Sequence, residues 1–129
     1  MPDLTCPCGS NRPYARCCGP LHEGTPAASA EALMRSRYTA LAQQRAPYLL
    51  SSWHASTRPP TLDFDDGVKW LGLKIVRAPA PIGDRAVVEF VARYRIGGRA
   101  HRLHETSRFV REGGHWYYVD GDIAEPADD

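Results

Sequence analysis

The sequence predicts an α+β fold in which helices pack against one face of a curved antiparallel sheet of about four strands. Apolar residues in the first half of the chain recur at the 3.6-residue period of a helix, whereas from residue 68 onward they alternate with a period of about two. Glycine-containing dipeptides interrupt the second half at positions typical of hairpin turns. Helices followed by hairpin-linked strands give this layered arrangement.

The helical half is predicted to contain two helices. Ser29 is suited to cap the first, and Glu31 lies in its first turn, where the helix dipole stabilises a carboxylate. Apolar residues at helical spacing continue this helix through Gln44. A second, shorter helix begins near Pro47, since proline is favoured in a first helical turn, and it ends before the proline pair at 59–60.

Four strands are predicted in the second half, at about residues 68–78, 85–96, 100–111 and 115–120. The turns between them are Gly83-Asp84, Gly97-Gly98 and Gly113-Gly114. Alternation places one set of side chains on a common face: Ala86, Val88, Phe90, Ala92 and Tyr94 of the second strand, Leu103, Glu105, Ser107 and Phe109 of the third, and Trp116 and Tyr118 of the fourth.

All four cysteines lie close together near the N-terminus, at Cys6, Cys8, Cys17 and Cys18. A metal site, two long-range disulfides and a redox pair are the three interpretations. The first residues lack the basic and apolar regions of a secretory signal, so we expect a cytoplasmic location, where clustered thiols bind metal more often than they form disulfides. Bonds within either close pair would be strained, and the C-x-x-C pattern of a thioredoxin-type site is absent. Tetrahedral zinc suits four thiolates, and such a closed site is structural.

The cysteine pattern resembles the zinc-binding SEC-C motif, which occurs at the C-terminus of SecA and in many small bacterial proteins. The resemblance rests on Cys6-Pro7-Cys8-Gly9-Ser10-Asn11, then Tyr14, then Cys17-Cys18-Gly19. It implies that the zinc ligands are Cys6, Cys8, Cys17 and Cys18. Asn11 replaces the usual glycine, and asparagine is well tolerated in a left-handed conformation. Cys18 stands where histidine is often found.

We divide the chain into a zinc-binding motif at residues 1–24 and a larger domain at 25–129. The first nineteen residues have no hydrophobic period, so bound metal would have to supply their stability. Prolines and a glycine predict a linker over residues 20–28. His22 lies there as a spare metal ligand, or in the commoner role of a surface or linker contact. The motif is thus expected to be an appendage that does not organise the core.

The order and length of the elements in the larger domain resemble the nuclear transport factor-like, or cystatin-like, cone. A narrower resemblance, to the bacterial YchJ family, covers nearly the whole chain. The segments that carry it are 31–38, 70–73, 89–93, 105–109 and 116–121, together with Cys-Cys-Gly-Pro-Leu-His at 17–22. The resemblance implies a cone-shaped α+β domain preceded by a small zinc knot.

Cone-shaped folds often hold a pocket between the concave face of the sheet and the helices, and they host both enzymes and non-catalytic binders. The side chains predicted to line such a pocket are Arg37, Tyr38, Trp53, Tyr94, Glu105, Ser107, Trp116 and Tyr118. Glu105 alternates with apolar residues, and a carboxylate with a nearby donor is the minimum for acid–base catalysis. A structural ion pair between Glu105 and Arg37 or Arg93 is the alternative.

Two functions from different classes follow from these features. The first is a non-enzymatic binding or adaptor module, in which the zinc knot contacts a protein or another macromolecule and the cone is a scaffold or holds a small ligand. The second is a small-molecule enzyme of isomerase, dehydratase or hydrolase type that uses Glu105. We favour the first, because no Ser-His-Asp set, phosphate loop or H-E-x-x-H motif is visible.

Charge is unevenly distributed, although the formal net charge is only +1. The arginines between residues 85 and 111 are Arg85, Arg93, Arg95, Arg99, Arg102, Arg108 and Arg111. Residues 120–129 contain five acids and no base. A solvated sheet face with a frayed acidic end explains this pattern most simply, and a basic surface for an anionic partner such as nucleic acid is the alternative. Without an apolar run of about 18 residues, no membrane span is expected.

Overall fold

The computed structural model describes residues 4–64 and 67–124. Within these residues, a 3-10 turn, Tyr14–Arg16, precedes three α-helices. The helices are α1 (Cys18–His22), α2 (Ala30–Ala42) and α3 (Ala46–Ser51). The strands are β1 (Val68–Arg77), β2 (Arg85–Ile96), β3 (Arg99–Glu112) and β4 (His115–Ile123). This order confirms the predicted α+β fold, and no helix among the described residues is long and apolar enough to cross a membrane.

The two predicted helices form at the predicted caps. The Ser29 hydroxyl accepts a hydrogen bond of 3.0 Å from the amide of Ala32, which satisfies one free donor at the start of α2. The helix ends at Ala42, slightly before the predicted end, and Gln44 adopts a left-handed conformation with φ of 56°. Pro47 lies in the first turn of α3.

The strands form one antiparallel sheet in the order β1-β2-β3-β4. The predicted turns join them, and both hairpins with two central glycines have positive φ at each glycine, 56° and 80° in one and 57° and 81° in the other. Positive φ at both positions matches the right-handed twist of the flanking strands. Register shifts within β1 and between β3 and β4 mark bulges, which bend a sheet around its core.

One face of the sheet packs against α2, which contacts β1, β2 and β4. Cross-strand pairing confirms the predicted face, since Val88 lies opposite Ser107 and Phe90 opposite Glu105. The core is formed by Leu33, Met34, Tyr38, Val88, Phe90, Ala92, Phe109 and Trp116. The opposite, outer face of the sheet carries charged side chains.

The cysteine motif is part of this core, and the expectation of an appendage is wrong. Cys6, Cys8 and Cys18 are buried in the same cluster as the apolar residues of α2 and the sheet. A Cβ atom at Gly9 would lie 2.9 Å from the carbonyl oxygen of Leu73 in β1, so only glycine allows this approach. The predicted linker is also shorter, because α1 includes the first three of its residues. The first nineteen residues have no hydrophobic period, so the sequence does not indicate that they pack against α2 and the sheet.

Candidate metal centre and the interior of the cone

The four thiol groups converge on one point. Their Sγ atoms all lie within 4.8 Å of one another. The Sγ atom of Cys17 is 3.5 Å from that of Cys8 and 4.0 Å from that of Cys18. Tetrahedral zinc, with Zn–S bonds of about 2.3 Å, separates its sulfur ligands by about 3.8 Å. All four cysteines are free of disulfides. The donor set therefore fits a four-coordinate metal ion.

The backbone of the motif places the first two cysteines in a closed loop. The amide of Cys6 donates to the carbonyl of Arg12 at 2.8 Å, and the amide of Tyr14 donates to the carbonyl of Leu4 at 2.8 Å. Asn11 has φ of 67°, the left-handed conformation in which asparagine replaces glycine at little cost. The second pair is held by the 3-10 turn and the start of α1, where the amide of Cys17 donates to the Tyr14 carbonyl at 3.0 Å.

Three polar side chains surround the sulfur atoms. Ser10 Oγ lies 3.1 Å from Cys17 Sγ. The Thr39 hydroxyl donates to Cys18 Sγ at 3.3 Å and lies 3.6 Å from Cys6 Sγ. Arg35 Nη1 donates to the carbonyl of Cys8 at 2.7 Å and lies 4.0 Å from its sulfur. Contacts of this second layer orient metal ligands and tune the affinity of the site.

The cluster stabilises negative charge on one of its sulfur atoms, that of Cys8. Hydrogen bonds from Cys18, Ser10 and Cys17 outweigh burial and lower the pKa of Cys8 to about 4. The pKa of Cys18 is raised well above its usual value, because its proton is held by Cys8 and because it is buried. Burial likewise raises the pKa of Cys17. A divalent cation bound to these sulfurs would replace the shared protons and permit every thiol to ionise.

His22 joins the motif to the cone and is not placed as a metal ligand. Its Nε2 donates to the Ser36 carbonyl at 2.8 Å, so its Nδ1, 2.8 Å from the Tyr14 hydroxyl, is the acceptor. The ring also packs against Tyr48, with centroids 4.6 Å apart. Burial lowers the pKa of His22, which favours the neutral ring that this arrangement requires. The structure thus supports the contact role.

Arg37 is a buried cation inside the cone. Its Nη1 donates to the Leu49 carbonyl at 2.9 Å and to the Ser52 hydroxyl at 2.7 Å. The guanidinium carbon lies 4.5 Å from the centre of the Tyr118 ring and 5.2 Å from that of Trp53, distances suited to cation–π attraction. Burial lowers the pKa of Arg37 to about 10, so the side chain stays charged at neutral pH.

Glu105 lies near Arg37 but is not paired with it. Its carboxylate accepts a hydrogen bond of 2.6 Å from Ser107 and packs against Gly121, where any side chain would overlap it. Among residues 4–64 and 67–124, no arginine, lysine or histidine nitrogen lies within 4.0 Å of this carboxylate, so the predicted ion pair with Arg37 or Arg93 is wrong. Burial, with the nearby charge of Glu105, raises the pKa of Tyr118 to about 12.

The other predicted pocket residues lie elsewhere. Tyr38 packs edge-on against Trp70, Trp70 packs against Tyr94, and Tyr94 stacks on His101, with centroid separations of 5.7, 5.4 and 5.3 Å. Trp116 lies beneath the guanidinium of Arg111, 5.0 Å from the ring centre. The eight side chains therefore belong to separate groups: Arg37, Trp53, Glu105, Ser107 and Tyr118 together, Tyr38 and Tyr94 in the aromatic row, and Trp116 apart.

The best-formed cavities among the described residues lie away from Arg37 and Glu105. Four of them have volumes of about 430 to 530 Å³, and neither Arg37 nor Glu105 lines any of these four. One cavity of about 470 Å³ lies between α1, α3 and β4, and among the predicted residues Trp116 lines it. The acid–base hypothesis gains no support from these cavities.

Comparison with known proteins agrees with the motif and the cone. A family model described as YchJ, middle NTF2-like domain, matches residues 29–121. The chain belongs to the YchJ family. A second model, for the SEC-C motif, matches residues 5–20 and so includes the four cysteines. These matches confirm the resemblance seen in the sequence.

Relatives of similar length support membership of the YchJ family. A UPF0225 protein of Polaromonas naphthalenivorans is 55% identical over 130 residues, which cover 91% of this chain and 96% of the relative. A UPF0225 protein of Xanthomonas campestris pv. campestris is 55% identical over 122 residues, which cover 92% of this chain and 95% of the relative.

Two solved structures share the YchJ-type fold described above. The solution structure of a SEC-C motif containing protein from Rhodopseudomonas palustris has a TM-score of 0.84 and 36% identity, and the match covers 95% of this chain and 100% of that one. The crystal structure of a SEC-C motif containing protein from Psychrobacter arcticus has a TM-score of 0.79 and 26% identity, covering 97% of this chain and 85% of that one. The α+β arrangement with its N-terminal motif is therefore shared.

Two residues beside the cysteines were not predicted from the sequence. Arg35 and Thr39 belong to α2 of the YchJ domain, yet both reach the sulfur atoms. The signal that could have indicated Thr39 is its helical spacing from Ser36, since both are polar and both lie on the buried side of the helix. A polar pair on a buried helical face requires polar partners, and the cysteines are those partners for Thr39.

Proposed function

We propose that this YchJ-family protein is a zinc-binding module with a non-enzymatic role. A zinc knot presents a fixed surface to a macromolecular partner, and the cone is its scaffold. The observation that carries the proposal is the convergence of four thiol sulfurs within 4.8 Å of one another. Four thiolates complete a tetrahedral shell and leave no position for substrate or water, so such a site stabilises structure and does not catalyse.

The donor chemistry supports zinc as the metal. Soft thiolate ligands in a tetrahedral group suit zinc or iron, and they bind magnesium or calcium poorly. Three of the ligands are buried, and Thr39, Arg35 and Ser10 hold the sulfurs in place. Arg35 also brings a positive charge toward a zinc–thiolate group that would carry two negative charges.

The exposed side of the knot supports a role in contacting a partner. Leu4 is 81% exposed, and the nearby surface carries Arg12 and Arg16, which are also exposed. The Arg12 guanidinium donates to the carbonyl of Arg16, which holds this part of the loop together. An exposed apolar side chain beside two arginines on a hydrogen-bonded loop suits a protein surface with an apolar patch and acidic groups.

Elemental analysis of the purified chain tests the metal. We expect about one zinc per chain, lost on Cys8→Ser and retained in the exposed control Thr61→Ala, since a closed four-thiolate site binds a single ion. Iron in place of zinc would give a coloured protein and would refute the choice of metal. A folded, metal-free chain with two disulfides would refute the metal site itself.

Cross-linking in extracts of the source bacterium tests the adaptor role separately. A double variant, Leu4→Ser with Arg16→Ser, removes the exposed apolar and basic groups of the knot. A matched control, Ile82→Ser with Arg85→Ser, removes an exposed pair at the far end of β2, where Ile82 is 86% exposed. We expect the knot variant to keep its zinc and lose cross-links that the control retains. Equal cross-linking by both would refute the adaptor role while leaving the zinc result intact.

A further inference from the structure

Four cations form a stripe across the outer face of the sheet, on the side away from α2. They are Lys69 of β1, Arg93 and Arg95 of β2, and Arg102 of β3, and all four are exposed. We call them the basic stripe. Their positions are set by strand register, since Lys69 lies directly opposite Arg95 and Arg93 lies directly opposite Arg102.

This arrangement works against the stability of the sheet. Like charges directly opposite one another on neighbouring strands repel and destabilise the pairing. Across residues 4–64 and 67–124, no carboxylate lies within 4.0 Å of the basic stripe. The fold therefore holds four adjacent positive charges in place without a neutralising partner from the described parts of the chain.

Some other basic side chains on the strands have acidic partners. Glu89 lies between Arg77 at 3.2 Å and His104 at 2.7 Å. Arg108 pairs with Asp120 at 2.6 Å and with Asp122 at 2.7 Å. Arg108 and Arg102 lie on the same strand and the same face, and both are exposed, yet of these two only Arg108 has acidic partners among the described residues. The contrast separates a neutral region of the outer face from one that is open to an anion.

The spacing of the stripe suits a chain of phosphates. Neighbouring strands lie about 4.8 Å apart, and alternate residues along a strand about 6.7 Å apart, so the stripe offers several cations to one extended anion. Three of the four are arginines, whose planar guanidinium groups bind phosphate oxygens through two hydrogen bonds. The cross-strand partners of the stripe are its own members, Gly72 and Ala100. No aromatic ring is among them, which disfavours single strands that bind by base stacking.

We propose that the basic stripe binds the sugar–phosphate backbone of double-stranded nucleic acid without reading its sequence. A duplex encloses its bases and presents closely spaced phosphates, which matches a surface with cations and no stacking ring. Binding relieves the repulsion between the opposed cations. The stripe does not include the zinc knot, so this proposal goes beyond the adaptor role and is tested independently of it.

The test is the salt dependence of binding to a fluorescently labelled DNA duplex of mixed sequence, followed by anisotropy. Four phosphate contacts predict a slope of about −3.6 for log affinity against log salt, which is a loss of about 150-fold between about 50 and 200 mM. Arg95→Gln should reduce the size of the slope by about 0.9. The matched control Arg108→Gln should leave the slope unchanged, since that side chain is already neutralised.

Further arms identify the ligand and exclude a structural role. A duplex RNA that binds at least as well as the DNA, through the same cations, supports the proposal equally. Tighter binding to single strands, or equal binding to polyglutamate, would overturn it. So would equal effects of the Arg95 and Arg108 substitutions. At low salt, Arg102→Gln should leave the melting temperature unchanged or raise it, and a clear decrease would show that the stripe supports the fold instead.

Discussion

The cysteine cluster and the Arg37 group are both polar sites inside an apolar core, and both depend on α2, yet they are built differently. At the cysteines, four sulfur atoms lie within 4.8 Å of one another. Their mutual hydrogen bonds lower the pKa of Cys8 and raise that of Cys18. At Arg37, a carbonyl, a hydroxyl and two aromatic faces already meet the cation. Several ligand atoms of one kind at one point indicate a site for a bound ion. A charged group whose hydrogen-bond acceptors are already in place indicates a structural role.

Of the changes considered, metal removal should have the largest effect on the stability of the protein. Chelation, or Cys18→Ser, should lower the stability of the whole chain by on the order of 5 kcal/mol or more, because metal-binding free energy becomes folding free energy. The cysteines share a core with the cone, so a single unfolding transition should shift. Calorimetry with and without chelator measures it. A cone that melts unchanged without metal would show that the two regions are independent.

Arg37→Met should have the next largest effect. It removes the hydrogen bonds that Arg37 donates to the Leu49 carbonyl and the Ser52 hydroxyl, together with both cation–π contacts, a cost of about 2–3 kcal/mol. Zinc content should stay unchanged, since Arg37 does not touch the cysteines. Urea unfolding and elemental analysis of the same sample measure the two quantities. Loss of zinc from this variant would mean that the two polar sites act as one.

Thr39→Val should affect the metal site more than the fold. The change keeps the shape of the side chain but removes the hydroxyl that donates to Cys18. We expect zinc affinity to fall about 10-fold to 100-fold, with a loss of stability of about 1–2 kcal/mol. Competition with a zinc-binding dye measures the affinity. Thr39→Ser, which retains the hydroxyl, is the control and should bind zinc nearly as well as the wild type.

His22 should give a smaller, pH-dependent effect. Burial lowers its pKa in the folded state, so the unfolded chain takes up the proton more readily. Stability contributed by the neutral ring is therefore complete above the unfolded pKa of about 6.5 and is lost as pH falls below it. Compared with wild type, His22→Gln should lose less stability between about pH 7 and pH 5. Parallel pH profiles for the two proteins would contradict this assignment.

Local patterns were enough to predict the elements and the clustered thiols. Ser29, the hairpin glycines and the alternating apolar residues act over a few positions, so the sequence displays them directly. The cysteines are close in the chain, and their convergence needs only one loop and one short helix. The contacts of Thr39 and Arg35 with the cysteines join residues more than twenty positions apart, so no local sequence pattern predicts them.

The Glu105 prediction failed for a related reason. Alternation correctly placed this carboxylate on the inner face with Ser107 and Phe109. The choice of partner was wrong, because opposite charges near one volume need not form an ion pair. Arg37 is satisfied by main-chain and hydroxyl acceptors of α3 and by aromatic faces, while Glu105 is satisfied by Ser107. The partner of a buried charge depends on the direction in which each side chain points, and the alternation of residues along a strand does not predict that direction.

Because the SEC-C motif packs against the cone, the cone without the motif is not expected to fold on its own. Gly9 fits against β1, and the ring of His22 bridges Tyr14 to the backbone of α2. A fragment that begins at residue 25 would lack Cys6, Cys8 and Cys18, which belong to the same buried cluster as Leu33 and Met34. We therefore expect that fragment to aggregate, and swapping motifs between relatives to require matching changes in α2. In this protein the motif therefore depends on its contacts with the cone and is not an independent module.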